Sequence, residues 1–165
     1  MYQAGDLVLY GRTGVCRVER IEHRDGQDFY ALKPLYQSCD IFAPVDSVKV
    51  FMRPIISREE AQRLVDLIPS LEVEAYENRA MRELTEHYQA SIDTHECQDL
   101  IEMTMSLYAK KKTAQGQKRK FGAVDERFMK WGEELLFGEL AAALELPLEE
   151  VPEYIGWRVK QAAQA

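Results

Sequence analysis

The stretch Gly5-Asp6-Leu7-Val8-Leu9-Tyr10-Gly11-Arg12-Thr13-Gly14-Val15 constrains the fold most, because it opens the chain with a short strand, a glycine-rich turn and a second strand. Leu7 and Leu9 alternate with Val8 and Tyr10, and Gly14 restarts the chain into Val15-Cys16-Arg17-Val18-Glu19-Arg20-Ile21. Asp25-Gly26 supplies a hairpin turn of type I′, whose two central residues need positive φ. Further strands are read over 29–33 and around Ile41–Pro44, with Pro44 removing a ladder donor and so marking an edge or a strand end. Four or five strands in about 50 residues make a small, strongly curled antiparallel sheet.

After about residue 57 the pattern changes to helices. Ser57-Arg58-Glu59-Glu60 fits a capping box, and the helix it opens runs to about Ile68, where Pro69 stops it. A second helix is read from near Val73 to Ala90, with Ala80, Met81, Leu84 and Tyr88 at helical spacing. Asp93-Thr94-His95-Glu96 caps a third, which ends in Lys110, Lys111 and Lys112 and gives way to a polar, basic loop over 113–122. The longest helix spans 124 to about 146, with Phe128, Leu135, Leu136 and Leu140 in its core face. Pro147 and Pro152 break it before a short helix over 153–159, where Trp157 packs the end of the domain. Gly132, Gly138 and the run Ala141-Ala142-Ala143 are small enough to let a neighbouring helix approach closely. The expected fold is α+β: a small antiparallel Tudor/SH3-like β-barrel over residues 1–54, then an all-α domain over 55–165.

Little in these residues suggests catalysis. Three cysteines, Cys16, Cys39 and Cys97, lie far apart with no C-x-x-C spacing, and His23, His87 and His95 lack metal spacing. Acidic pairs such as Glu59-Glu60 and Glu149-Glu150 sit at helix starts, where they complement the dipole. No catalytic residue, metal or cofactor is called for. The start has no leader pattern and no run of 18 apolar residues occurs, so a cytoplasmic protein with no membrane partner is expected.

Net charge is −7, but its distribution is uneven. Residues 108–131 carry eight basic and two acidic groups, a local +6 within a chain that is otherwise −13. Phosphate attraction depends on local field, so this block can meet a DNA backbone; it can equally be a solvated helix end. Trp131 beside it reads either as core or as a base-stacking residue. For the sheet, the functional reading is addition of a partner's strand to an exposed edge, and the alternative is a purely structural module.

The order Gly5-Asp-x-Val-x-Tyr10, Gly14-Val15, a β-hairpin, Ala43-Pro44 and, late in the chain, Leu136-Phe137-Gly138-Glu139-Leu140-Ala141 resembles the CarD/CdnL family of bacterial transcription regulators. The likeness covers about residues 2–155, and its first element also occurs in the polymerase-interacting domain of transcription-repair coupling factors. What the resemblance implies is a regulator with two partners, the RNA polymerase β subunit and promoter DNA. The Tudor-like domain would hold the first, while the helical domain touches DNA weakly and without sequence preference at the upstream edge of the melted bubble. Carried over by position, Arg24, Phe42, Ala43 and Pro44 fall at the polymerase contact, with Phe42 standing where relatives have arginine. At the DNA end Tyr76 falls where relatives carry a wedge tryptophan at the start of a helix, and Arg79, Lys118, Arg119, Lys120 and Arg127 are candidate phosphate contacts. A monomer is expected. The rival reading is a protein-binding adaptor whose helical domain engages another protein instead of DNA.

Overall fold

Asp25 and Gly26 both take positive φ, 51° and 78°, and the hairpin they turn is the centre of a five-stranded antiparallel sheet. The computed structural model describes residues 1–46 and 49–164. Its strands are β1 (Leu7–Tyr10), β2 (Gly14–Arg24), β3 (Gln27–Pro34), β4 (Ile41–Pro44) and β5 (Met52–Pro54), in the order β4-β3-β2-β1-β5. The fifth strand pairs Leu9 with Arg53 along the far side of β1.

A bulge between Val18 and Arg20 decides which residues face outward. Before it, Cys16 and Val18 point into the sheet's own core with Val8, Tyr30, Leu32 and Ala43. The extra residue reverses the alternation, so Arg20, Glu22 and Arg24 turn to the opposite face. On that face the β1–β5 half, with Leu9, Val15 and Arg53, is covered by helices. The half formed by the end of β2, β3 and β4 stays open.

The helical part consists of α1 (Arg58–Leu67), α2 (Met81–Asp93), α3 (Cys97–Gly116), α4 (Ala123–Leu144) and α5 (Val151–Gln164), with 3₁₀ turns at Ile68–Ser70 and Leu148–Glu150. The chain is α+β, as expected. Leu64, Leu84, Tyr88, Ile101, Leu107, Phe128, Leu136 and Leu140 are among its core residues, with α4 packed against α1, α2, α3 and α5. Close approach at Gly132 is real: a Cβ there would lie 2.5 Å from Met103 Cε and 3.0 Å from Thr104 Cγ2, in the buried α3–α4 contact. Gly132→Leu is therefore expected to cost about 1–3 kcal/mol by overpacking. A urea midpoint lowered at unchanged slope would record it.

Several helix boundaries differ from those read in the sequence. The second helix begins at Met81, not near Val73, so Tyr76 and Arg79 lie in an irregular approach. Asn78 is the reason. Its Oδ1 accepts from the Ala80 N–H at 2.8 Å and its Nδ2 donates to Glu83 at 2.8 Å, which favours a turn over helix. Ser106 Oγ also donates to the Glu74 carbonyl at 2.7 Å and fastens the approach to α3. Met81, read as a core position, opens α2 at 62% exposure. The capping box is half made: Ser57 Oγ accepts from the Glu60 N–H, while the Glu60 carboxylate is taken by Arg63.

The third helix continues through 113–116, so the three lysines lie inside it and the loop is shorter than expected. Thr94 Oγ1 accepts from the Glu96 N–H ahead of that helix, with His95 in the left-handed region at φ 58°. Pro152 does not break a helix; it sits in the first turn of α5, where a missing N–H costs nothing. That helix runs to Gln164, well past 159, and its Trp157 is 55% exposed, turned outward.

Candidate polymerase and nucleic-acid interfaces

Arg20, Glu22 and Arg24 form a charge ladder along the open half of the sheet. Arg24 donates to one carboxylate oxygen of Glu22 at 2.6 Å and Arg20 Nε to the other at 2.6 Å. Hydrogen bonding by Arg20, joined by Arg24, holds the Glu22 carboxyl below the usual carboxylate range. The Arg24 guanidinium also lies 4.4 Å from the centroid of the Phe42 ring, which is 39% exposed. Strand register puts Phe42 opposite Ala31 and Pro44 opposite Phe29 on the same face. Three of the four residues placed at the polymerase contact thus form one surface. Ala43 faces the other way at 2% exposure, leaving only its backbone for a partner. β4 is an edge strand, so that backbone lies on the rim of the sheet.

The residues expected at DNA are less uniform. Lys118, Arg119 and Lys120 are exposed between α3 and α4, and none has an ion-pair partner among the described residues. Arg79 is exposed too, and Arg127 lies over the Phe128 ring at 5.0 Å. Lys110 contributes nothing to the cationic surface: its side chain is 11% exposed, 3.0 Å from Asp125 and 3.8 Å from Glu77. Tyr76 is packed inward, stacked on His87 with ring centroids 3.6 Å apart and edge-on to Tyr88. Partial desolvation holds the imidazole of His87, exposed on the surface of α2, below its usual range.

Met81, which the sequence pattern does not single out because methionine at helical spacing reads as core, stands exposed at the start of α2, two residues after Arg79 and next to Arg82, whose guanidinium pairs with Glu86 at 3.1 Å. Trp131, left open between core and stacking, is half-buried between Phe128 and the Arg12 guanidinium at 5.8 Å.

The two parts are tied by α4. Arg53 forms two hydrogen bonds to Glu139, 2.6 and 2.8 Å, and two more to the His95 carbonyl, while the Ile56 N–H donates to Glu139 at 3.0 Å. Tyr36 OH donates to the Gly138 carbonyl at 3.0 Å, and a Cβ on Gly138 would lie 3.1 Å from that ring. Arg12 pairs with Asp93 at 3.1 Å, and Phe51 stacks on His95 at 4.4 Å. The segment 136–141 is therefore the seat of the sheet: Leu136, Leu140 and Ala141 face the helical core, Gly138 receives Tyr36 of the β3–β4 connection, and Glu139 receives Arg53 of β5.

Among the described residues no group of three or more His, Cys, Asp or Glu is placed to hold a metal. Burial pushes the Cys16 thiol up to about 11, which leaves it a poor nucleophile. Among the described residues no helix is long and apolar enough to cross a membrane.

The sheet thus presents an open face and a free edge to a partner's strand or side chains. Residues 2–56 match the family model described as CarD-like/TRCF RID domain, which suggests an RNA polymerase-interacting module. The match covers about a third of the chain and is consistent with a CarD-like protein. No curated protein matches the chain in sequence.

Proposed function

We propose that the protein docks on the RNA polymerase β subunit through Arg24, Phe42, Pro44 and the backbone of β4, and that its helical part contacts promoter DNA near the upstream edge of the melted region. Residues 1–54 act as a Tudor-like docking domain and 55–165 as the DNA-contacting domain of a cytoplasmic, non-enzymatic regulator. The observation that carries the reading is the clustering of Arg24, Phe42 and Pro44 on the open half of a family-matched sheet, beside a free edge. Tethering raises the effective concentration of the helices at DNA, so weak contacts by Arg79, Lys118, Arg119, Lys120 and Arg127 suffice. Met81 supplies the apolar wedge; Tyr76 supports the approach to α2 from within. Contacts that favour melted over closed DNA shift the open complex by their differential energy, tenfold for about 1.4 kcal/mol.

The test of the DNA half is site-specific crosslinking from position 81 in a polymerase–promoter complex, with open-complex lifetime measured for Met81→Ala and for the triple reversal Lys118→Glu, Arg119→Glu, Lys120→Glu. Both variants are expected to alter the lifetime, and the crosslink to map to the bubble's upstream edge. A second reading has its own support. The packed Tyr76 and a groove of about 610 Å³ lined by Glu72, Glu74, Asp99 and Glu102 suit a basic protein partner better than DNA. A crosslink to protein alone, with lifetimes unchanged, would select that adaptor role.

A further inference from the structure

One face of α4 is used by neither proposed interface. Trp131, Glu134, Leu135 and Gly138 stand at i, i+3, i+4 and i+7, and between them and Gly14, Val15 and Tyr36 of the sheet lies a cavity of about 380 Å³. The space exists because side chains are missing on both sides. Gly14 takes φ 96° at the head of β2, and Gly138 lets the Tyr36 ring lie against the helix, where its hydroxyl donates to the Gly138 carbonyl at 3.0 Å. A cavity of this size at the junction of two structural layers has the dimensions and the position of a small-molecule site.

Its walls are aromatic and its carboxylate is unpaired. The half-buried Trp131 indole is steadied by the Phe128 ring at 5.9 Å and by the Arg12 guanidinium at 5.8 Å, and Tyr36 is 42% exposed. Such rings accept the flat face of a heterocycle. Glu134 is exposed and has neither an ion-pair nor a hydrogen-bond partner among the described residues. An ionised carboxylate only accepts, so it selects a ring that presents adjacent N–H donors. Guanine does so at N1 and N2, whereas adenine and cytosine set a ring-nitrogen acceptor beside a single amino group and would turn a lone pair toward the carboxylate. Arg12 donates to Asp93 at 3.1 Å through one amino nitrogen, which leaves its other N–H groups for a phosphate. We infer that this cavity binds a free guanine nucleotide, with its base against Trp131 and Tyr36, its N1–H and N2–H on Glu134 and its phosphate on Arg12. The nucleotide touches the turns of the sheet and α4 together, so it fastens the two parts to one another. What that does to transcription rests on the proposed function; the binding itself does not.

Nuclear magnetic resonance on the full chain tests it without polymerase or DNA. The chain has two tryptophans, so Trp157→Phe assigns the remaining indole N–H signal to Trp131. Guanosine monophosphate should shift that signal saturably, with half-saturation at or below about 1 mM. Adenosine monophosphate should bind at least about tenfold more weakly. Glu134→Gln should abolish the preference for guanine and leave the weak adenine binding in place, and Arg12→Gln should remove the advantage of the monophosphate over guanosine. Both side chains are exposed, so circular dichroism should show both variants folded. No saturable shift, equal binding of the two nucleotides, or a guanine preference retained in Glu134→Gln would overturn the inference.

Discussion

Glu139→Ala is expected to destabilise the protein by about 3–5 kcal/mol, the cost of stranding a buried charge. Glu139 is 1% exposed, and its carboxylate is the acceptor for two Arg53 hydrogen bonds and for the Ile56 N–H. Removing it leaves the partly buried Arg53 guanidinium facing α4 with only backbone carbonyls, and leaves an orphan amide at the exit of β5. The effect should also be directional. Hydrogen exchange should rise at residues 52–56, where the sheet is fastened, before it rises in the α3–α4 core. Replacing both partners, Arg53→Met with Glu139→Leu, should recover much of the loss, because an apolar pair of similar volume has no unpaired charge to bury. An Ala variant as stable as the parent would show that the sheet is held to the helices by other contacts.

Asp125→Ala is the second large effect, about 3 kcal/mol. Asp125 lies in the first turn of α4 and accepts from Tyr88 OH at 2.7 Å and from Lys110 Nζ at 3.0 Å, joining α2, α3 and α4. Burial, reinforced by this carboxylate, pushes the Tyr88 phenol well above its ordinary value, so it stays a neutral donor. Without Asp125 that hydroxyl loses its acceptor, and Lys110 keeps only Glu77 at 3.8 Å. Thermal unfolding should fall accordingly, and Tyr88→Phe should cost less than Asp125→Ala because it leaves the Lys110–Asp125 pair intact.

These two sites also mark where sequence reasoning stops. The alternation in β1 and β2, the Asp25-Gly26 turn and the long helix with Gly132 and Gly138 were readable because strand, turn and helix periodicities are local. β5 was not, since Met52-Arg53-Pro54 is too short to show a period and is defined by its partner β1. Glu139 and Asp125 look like surface charges in a sequence; only tertiary packing supplies Arg53, Tyr88 and Lys110. Glu-rich residues 72–77 favour helix locally, but the side chain of Asn78 and the hold of Ser106 on Glu74 outweigh that preference. The same shift in the start of α2 leaves Met81 exposed there, while Tyr76 stacks on His87 in the approach. The open face of the sheet was legible in part: Arg24 and Phe42 were singled out one by one, whereas their stacking depends on the bulge at Val18/Arg20, which reverses the alternation.

Direct binding to the isolated RNA polymerase β subunit tests the central claim. The parent chain should bind, Arg24→Glu should weaken binding at least tenfold, about 1.4 kcal/mol, and Phe42→Asp should weaken it further because it removes both the exposed ring and the surface on which Arg24 rests. Circular dichroism should show both variants folded, since the two side chains are exposed. A parent chain that fails to bind the β subunit, or variants that bind as tightly as the parent, would contradict the docking account.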